Sequence, residues 1–252
     1  MFSTLFRTVL YQPIFNIFVG LYDILPGHDV GLVILAITIL VRLALWPLTT
    51  SSIRAQRSLQ ELQPRMEAIK KQYADDKQKQ TQAIMELYKT NKVNPFASCL
   101  PILIQLPILI ALYMVLRDAL VSANLGQWLY PFVSNPGKIN PISFGFFDMA
   151  KPNVILAVLA GAAQFWQAKT MNKGKKPPAG AGVGSKDEAM MSMMNKQMLY
   201  FMPLMTVLIG MSLPAGLTLY WFFSTLLMAL QQVYLFKKNP PASPNVIEGK
   251  VV

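Results

Sequence analysis

A chain of 252 residues that is 53% hydrophobic and only 14% charged has the composition of a polytopic membrane protein rather than a soluble globule. Its net charge of +11 comes from Lys and Arg gathered in particular loops, not from a basic groove interleaved with aromatics, so specific nucleic-acid sequence recognition is not expected. A single cysteine, Cys99, excludes an intrachain disulfide; with His28 the only histidine and no CxxC pair, neither a metal site, a cofactor nor His-based catalysis is expected.

Residues 1–28 come first. Thr4, Thr8, Gln12, Asn16 and Gly20 recur at every fourth position, while Phe6, Leu10, Ile14, Ile17, Phe18 and Leu21 fill the other side. This predicts an amphipathic helix lying in the membrane interface. Pro13 and Asn16 interrupt the apolar core and no A-x-A cleavage pattern follows, which argues against a cleaved signal peptide; an uncleaved signal anchor is the alternative.

Residues 29–50 hold the first predicted transmembrane span, with an apolar run from Val30 to Leu48 that carries Arg42 near its middle. A guanidinium at such a depth costs about 2.5 to 3.5 kcal/mol on insertion scales and cannot escape by losing its proton. No Asp, Glu or His lies at membrane depth in the other apolar runs to neutralise it. Arg42 therefore calls for water, a polar partner, or snorkelling to the nearer membrane face.

Residues 51–93 are too polar for the bilayer yet patterned, with Leu59, Leu62, Met66, Ile69 and Tyr73 in steps of three and four. Asp75 and Asp76 interrupt the pattern and can cap a second helix whose apolar edge is Ile84, Leu87 and Tyr88. The expectation is an antiparallel helical hairpin in the cytoplasm, broken or kinked at Pro64. Four further spans follow within 94–238: Pro95 to Leu116, Val154 to Ala168, about Met198 to Leu213, and about Ala215 to Phe236. Prolines 101, 107 and 203 are expected to kink the second and fourth spans, and eight methionines between 190 and 211 offer soft apolar contacts.

Lys and Arg set the orientation. Nine lie in 51–93 and six in 169–197, against only Lys138 and Lys151 in the predicted external loop 120–152. The positive-inside rule then places the N-terminus outside and the C-terminus in the cytoplasm. The expected fold is all-α: a polytopic membrane protein with five transmembrane helices, the N-terminal interfacial helix and the cytoplasmic helical hairpin. Residues 169–197 form a cytoplasmic loop, Gly-, Pro- and Lys-rich at 172–188, and residues 239–252 form a disordered cytoplasmic tail.

If Arg42 faces a cavity, polar groups of other spans should turn toward it. Thr38 and Thr49 share its face; Gln105 lies seven residues after Ser98 on the second span; Gln164 and Thr206 are contributed by the third and fourth. On the fifth, Tyr220, Ser224 and Gln231 fall within roughly 40° of one another at about 100° per residue. Taken singly, such residues more commonly join helix to helix. The carboxylates Asp29, Asp118 and Asp148 sit at span ends or in loops, so the relay of a proton- or cation-coupled transporter is missing. A fixed positive charge in a half-wet site would instead attract a passing acidic or polar peptide.

The arginine-bearing first span followed by WPL, the stretches LQPRMEAIKKQY and MELYKTNKVNPFASCLPILIQLPI, and the late PAGLTLYWFFSTLLMALQQ together resemble the YidC-type membrane protein insertases, over roughly residues 15 to 238. The resemblance implies five core spans around a hydrophilic groove open to cytoplasm and lipid, a bacterial inner-membrane location, and insertion of nascent membrane proteins without covalent chemistry. It implies that Arg42 is the groove arginine, that Tyr220 and Trp221 contact substrate, and that the hairpin captures substrate and meets partners, with ribosome and Sec translocon among them. The chain resembles a short form: no large external domain precedes the first core span, no lipobox cysteine appears, and few basic residues mark the tail. A small-solute transporter or channel subunit, or a scaffold that gathers membrane partners, are the competing classes.

Overall fold

The computed structural model describes residues 2–94, 96, 100–121, 125–171 and 197–238. The predicted loop at 172–188, the tail at 239–252, Ser98 and the methionines at 190, 191, 193 and 194 lie outside the described residues. The described chain is helical throughout, apart from one short β-hairpin and its flanking loop.

Helices α1 (Phe2–Phe6) and α2 (Gln12–Ile24) are joined by a π-helical turn at Arg7–Tyr11. Tyr11, Phe15, Phe18, Val19 and Tyr22 are buried against the rest of the protein, whereas Leu5, Val9, Ile17 and Ile24 are exposed. The polar stripe expected to face water therefore turns inward at Asn16, which is buried. The reason is a partner that local periodicity does not reveal. Asn16 donates to Trp128 O at 2.9 Å and accepts from Tyr130 N at 2.6 Å, both more than a hundred residues away in sequence.

Helix α3 (Val30–Ala44) starts where the Asp29 carboxylate accepts from Gly31 N and Leu32 N, an N-cap that satisfies two orphan amides. It stops earlier than the apolar run suggested. Pro47, in the first turn of α4 (Trp46–Glu61), has no N–H to continue the ladder, and the chain bends by 65° between the two helices. Arg42 consequently lies in the last turn of α3, not at the centre of one straight span. A second break falls at Pro64, as its position predicts: α5 (Gln63–Gln72) starts there with the proline in its first turn. Asp76 caps α6 (Lys77–Thr90) by accepting from Lys79 N at 3.0 Å.

Helix α7 (Leu100–Val121) contains Pro107, and α8 (Val154–Met171) follows the strands β1 (Ile142–Ser143) and β2 (Phe147–Asp148). A π-helical turn at Gln197–Phe201 leads into α9 (Met202–Gly210), with Pro203 in its first turn, and α10 (Ala215–Lys238) ends the described chain. Small residues let α8, α9 and α10 come close. A methyl group at Gly161 would run into Val207 and the Pro203 carbonyl, and one at Gly210 would meet Ala157 at 3.1 Å. By length and composition, two described helices can cross a membrane, α7 and α10, or three if the bent pair α3 and α4 counts as one span. A shorter apolar helix covers Leu199–Gly210.

At the end of the bundle away from α5 and α6, the loop between α7 and α8 ties helix ends together. Ala215 N donates to Lys151 O at 2.8 Å and Gly216 N to Met149 O at 3.0 Å, so the start of α10 is pinned to the residues just after the β-hairpin. Gly31 N donates to Ser143 Oγ at 2.7 Å, and Phe144 N to Asp29 Oδ2 at 2.7 Å. Burial would raise the Asp29 pKa, but these amide and hydroxyl donors outweigh it and hold the carboxyl below its usual range.

Candidate functional site

The centre of the site is the contact between the last turn of α3 and the middle of α10. Arg42 is half-buried, and its Nε and a terminal nitrogen donate to Ser224 Oγ at 3.0 and 2.6 Å. Among the described residues no carboxylate pairs with it. A guanidinium has five N–H donors in a fixed fork, so one hydroxyl leaves most of its donor capacity free for other acceptors.

One turn toward the start of α10, Tyr220 is fully buried and its hydroxyl accepts from Gln105 Nε2 on α7 at 2.8 Å. Further along, Gln231 spends its whole amide on α4. Its Oε1 accepts from Thr49 Oγ1 at 3.1 Å, while its Nε2 donates to Thr50 Oγ1 at 2.9 Å and to Trp46 O at 3.3 Å. The last helix thus carries three polar rungs, one each to α7, α3 and α4. Arg57 adds a cation–π contact over Phe236 at 5.1 Å, so α4 follows the end of α10.

Of the residues expected from sequence, Arg42, Gln105, Tyr220, Ser224 and Gln231 are brought into this line. Thr38 and Thr206 are not: both are buried, and their hydroxyls donate back to the carbonyls of Ile34 and Met202 four residues earlier. Gln164 and Trp221 are half-buried on α8 and α10, with no side-chain hydrogen bond among the described residues. Two participants were missed. Thr50 neighbours a residue already singled out, and Gln232 is buried with an Oε1 that finds no donor among the described residues. The only sequence signal for Gln232 is its place beside Gln231.

In the charged arm, Leu62 is buried and Leu59, Met66, Ile69, Tyr73, Ile84, Leu87 and Tyr88 are half-buried. Tyr88 Oη donates to Met66 Sδ at 3.2 Å and Gln80 Nε2 to Lys70 O at 3.1 Å, which places α5 beside α6. Burial pushes the Tyr88 hydroxyl up from its ordinary pKa, whereas the Lys79 amide and ammonium hold the exposed Asp76 carboxyl down.

Arg42 thus lies half-buried between apolar helices, held by a hydroxyl rather than a carboxylate. The family model described as 60Kd inner membrane protein matches residues 17–242. This chain belongs to that family. It is 38% identical over 209 residues to a protein of Fusobacterium nucleatum named membrane protein insertase YidC, covering 83% of this chain and 87% of that one. Similar proteins of the same name from Methylobacillus flagellatus and Pseudomonas paraeruginosa are 31% and 32% identical over 94% of this chain. The chain spans only 37% and 36% of the length of those two relatives. Membership of the 60Kd inner membrane protein family, together with the apolar helices, makes this a bacterial membrane protein of YidC type.

Proposed function

We propose that this member of the family is itself a membrane protein insertase, working through a hydrophilic, positively charged groove lined by α3, α7 and α10. Five spans, with the N-terminus outside and the C-terminus in the cytoplasm of the bacterial inner membrane, would bring α4, α5 and α6 to the cytoplasmic side as the capture hairpin. Residues 1–28 would anchor the assembly through the exposed Leu5, Val9 and Ile17. A nascent membrane segment meets the hairpin, its polar flank moves beside Arg42, and its apolar part slides into lipid past α3, α8 and α10. Partitioning drives release at about 0.8 kcal/mol per buried methylene, so the step needs no ATP. Ribosome and translocon remain partners of this reading rather than parts of its chemistry.

The observation that carries the proposal is the half-buried Arg42 guanidinium, held by a neutral hydroxyl and left with donors to spare. A carboxylate partner would have silenced its field; Ser224 orients it and leaves the charge in place. Tyr220 and Gln105 supply polar surface one turn away, where an incoming polar flank would otherwise meet hydrocarbon.

The test is insertion of a single-span substrate with an acidic external tail into membranes holding equal amounts of each variant. Arg42→Ala and Arg42→Glu should reduce insertion about tenfold, equivalent to about 1.4 kcal/mol, with Arg42→Lys intermediate. Undiminished insertion by both charge-removing variants would overturn the proposal.

A further inference from the structure

Apart from Phe96 between α6 and α7, the most exposed large apolar side chains outside the flanks of the long helices cluster at the end of the bundle away from α5 and α6. Phe132 is 83% exposed, Ile24 79% and Phe146 73%, with Ile142 and Phe144 also open. They stand on loop and hairpin backbone at the ends of α2, α3 and α8. In water, such side chains at the tips of a tightly tied loop would be an unmanaged apolar patch.

They are not on a floppy segment. Phe144 N is held by Asp29, Ser143 by Gly31 N, Tyr130 N by Asn16, and Asn140 N by the Tyr22 hydroxyl at 3.0 Å. Tyr130 and Phe132 are stacked with centroids 5.4 Å apart, and Phe146 leans on Phe147 at 4.3 Å. The patch is therefore presented preformed, its ordering already met within the protein.

We propose that this face is a lipid-contact surface whose occupant is the leaflet of the bilayer at that end, at the level between headgroups and acyl chains. Two observations select this occupant. The patch is continuous with the exposed Val154 and Ile155 at the start of α8, and so with the lipid-facing flank of the bundle. Its backbone is irregular, outside helix and strand over 129–141, which keeps it out of the hydrocarbon centre and suits the interface, where aromatic and aliphatic side chains anchor. On the orientation proposed above it meets the outer leaflet. The loop then sets the height at which the bundle rides in the membrane.

The experiment places a spin label at Phe132→Cys, Ile24→Cys and Phe146→Cys in a Cys99→Ser background, in full-length protein reconstituted into phosphatidylethanolamine–phosphatidylglycerol vesicles. Accessibility to oxygen, which concentrates in lipid, is compared with accessibility to a water-soluble nickel chelate. Val158→Cys on α8 is the lipid reference and Lys79→Cys on α6 the water reference. Oxygen-to-nickel ratios severalfold above the Lys79 reference and approaching Val158 are expected. Ratios matching Lys79 would overturn the proposal. Exclusion of both reagents would also overturn it, by showing that a protein surface covers the patch. A Val158 ratio as low as that of Lys79 would instead sink the membrane placement of the whole bundle.

Discussion

The two ends of this bundle use polar side chains in opposite ways. At the loop end they reach backbone: Asn16 to Trp128 and Tyr130, Tyr22 to Asn140, Asp29 to Phe144 and Gly31, and Ser143 to Gly31. Along α10 they meet one another: Gln105 with Tyr220, Arg42 with Ser224, and Gln231 with Thr49 and Thr50. Side chains that satisfy a loop's own amides fix its path, and losing one strands a buried backbone group. Pairs of side chains with donors to spare hold a shape while staying able to exchange partners. The first pattern fixes a loop, and the second, on the proposed function, leaves a surface for something transient.

On that contrast the largest loss of stability is expected where a loop-end side chain satisfies two backbone groups at once. The sharpest blow should be Asn16→Leu, which orphans a carbonyl and an amide together; about 2 to 4 kcal/mol of stability should be lost, seen as a lower thermal midpoint in detergent. Gln231→Leu comes next. It frees Thr49, Thr50 and Trp46 O at the α3–α4 bend and should cost about 1 to 2 kcal/mol, with a wider distribution of label distances between α4 and α10.

Asp29→Ala should cost about 1 kcal/mol near neutral pH through the lost cap. Because the Asp29 pKa is depressed in the folded protein, its ionisation contributes stability in full above the unfolded value near about 3.9. As pH falls through the lower folded value, the gap between the wild type and the alanine variant should close; a gap that widens on acidification would contradict the assignment. Smallest of all is Ser224→Ala. If water reaches Arg42, it replaces the hydroxyl, and stability should shift by about 0.5 kcal/mol or less with insertion within a factor of about three. A large loss of stability there would erase the distinction between the two ends.

Much of this was legible from the residues. Pro64 marked the break between α4 and α5, Asp76 marked the cap of α6, and the helical spacing of Tyr220, Ser224 and Gln231 put them in one line. Thr38, four residues before Arg42, and Thr206 are polar positions on apolar helices too, yet their hydroxyls are spent within their own helices. Periodicity cannot tell these two fates apart, since the choice depends on what faces the helix. The inward fate of Asn16 was hidden for a related reason: its partners arrive from a loop over a hundred residues later. The bend after Ala44 was written in Trp46–Pro47, but an apolar run continuing to Leu48 masked it.

That bend has an electrostatic consequence for Arg42. Because α3 terminates within a turn of the guanidinium, the carbonyls at its C-terminus gather the negative pole of the helix beside the positive charge. The pole of a free helix end amounts to about half an elementary charge, and the N-terminus of α4 two residues on offsets part of it, so it tempers the arginine without cancelling it. An acidic stretch would feel a shallow well there instead of a trap, and could leave as readily as it came.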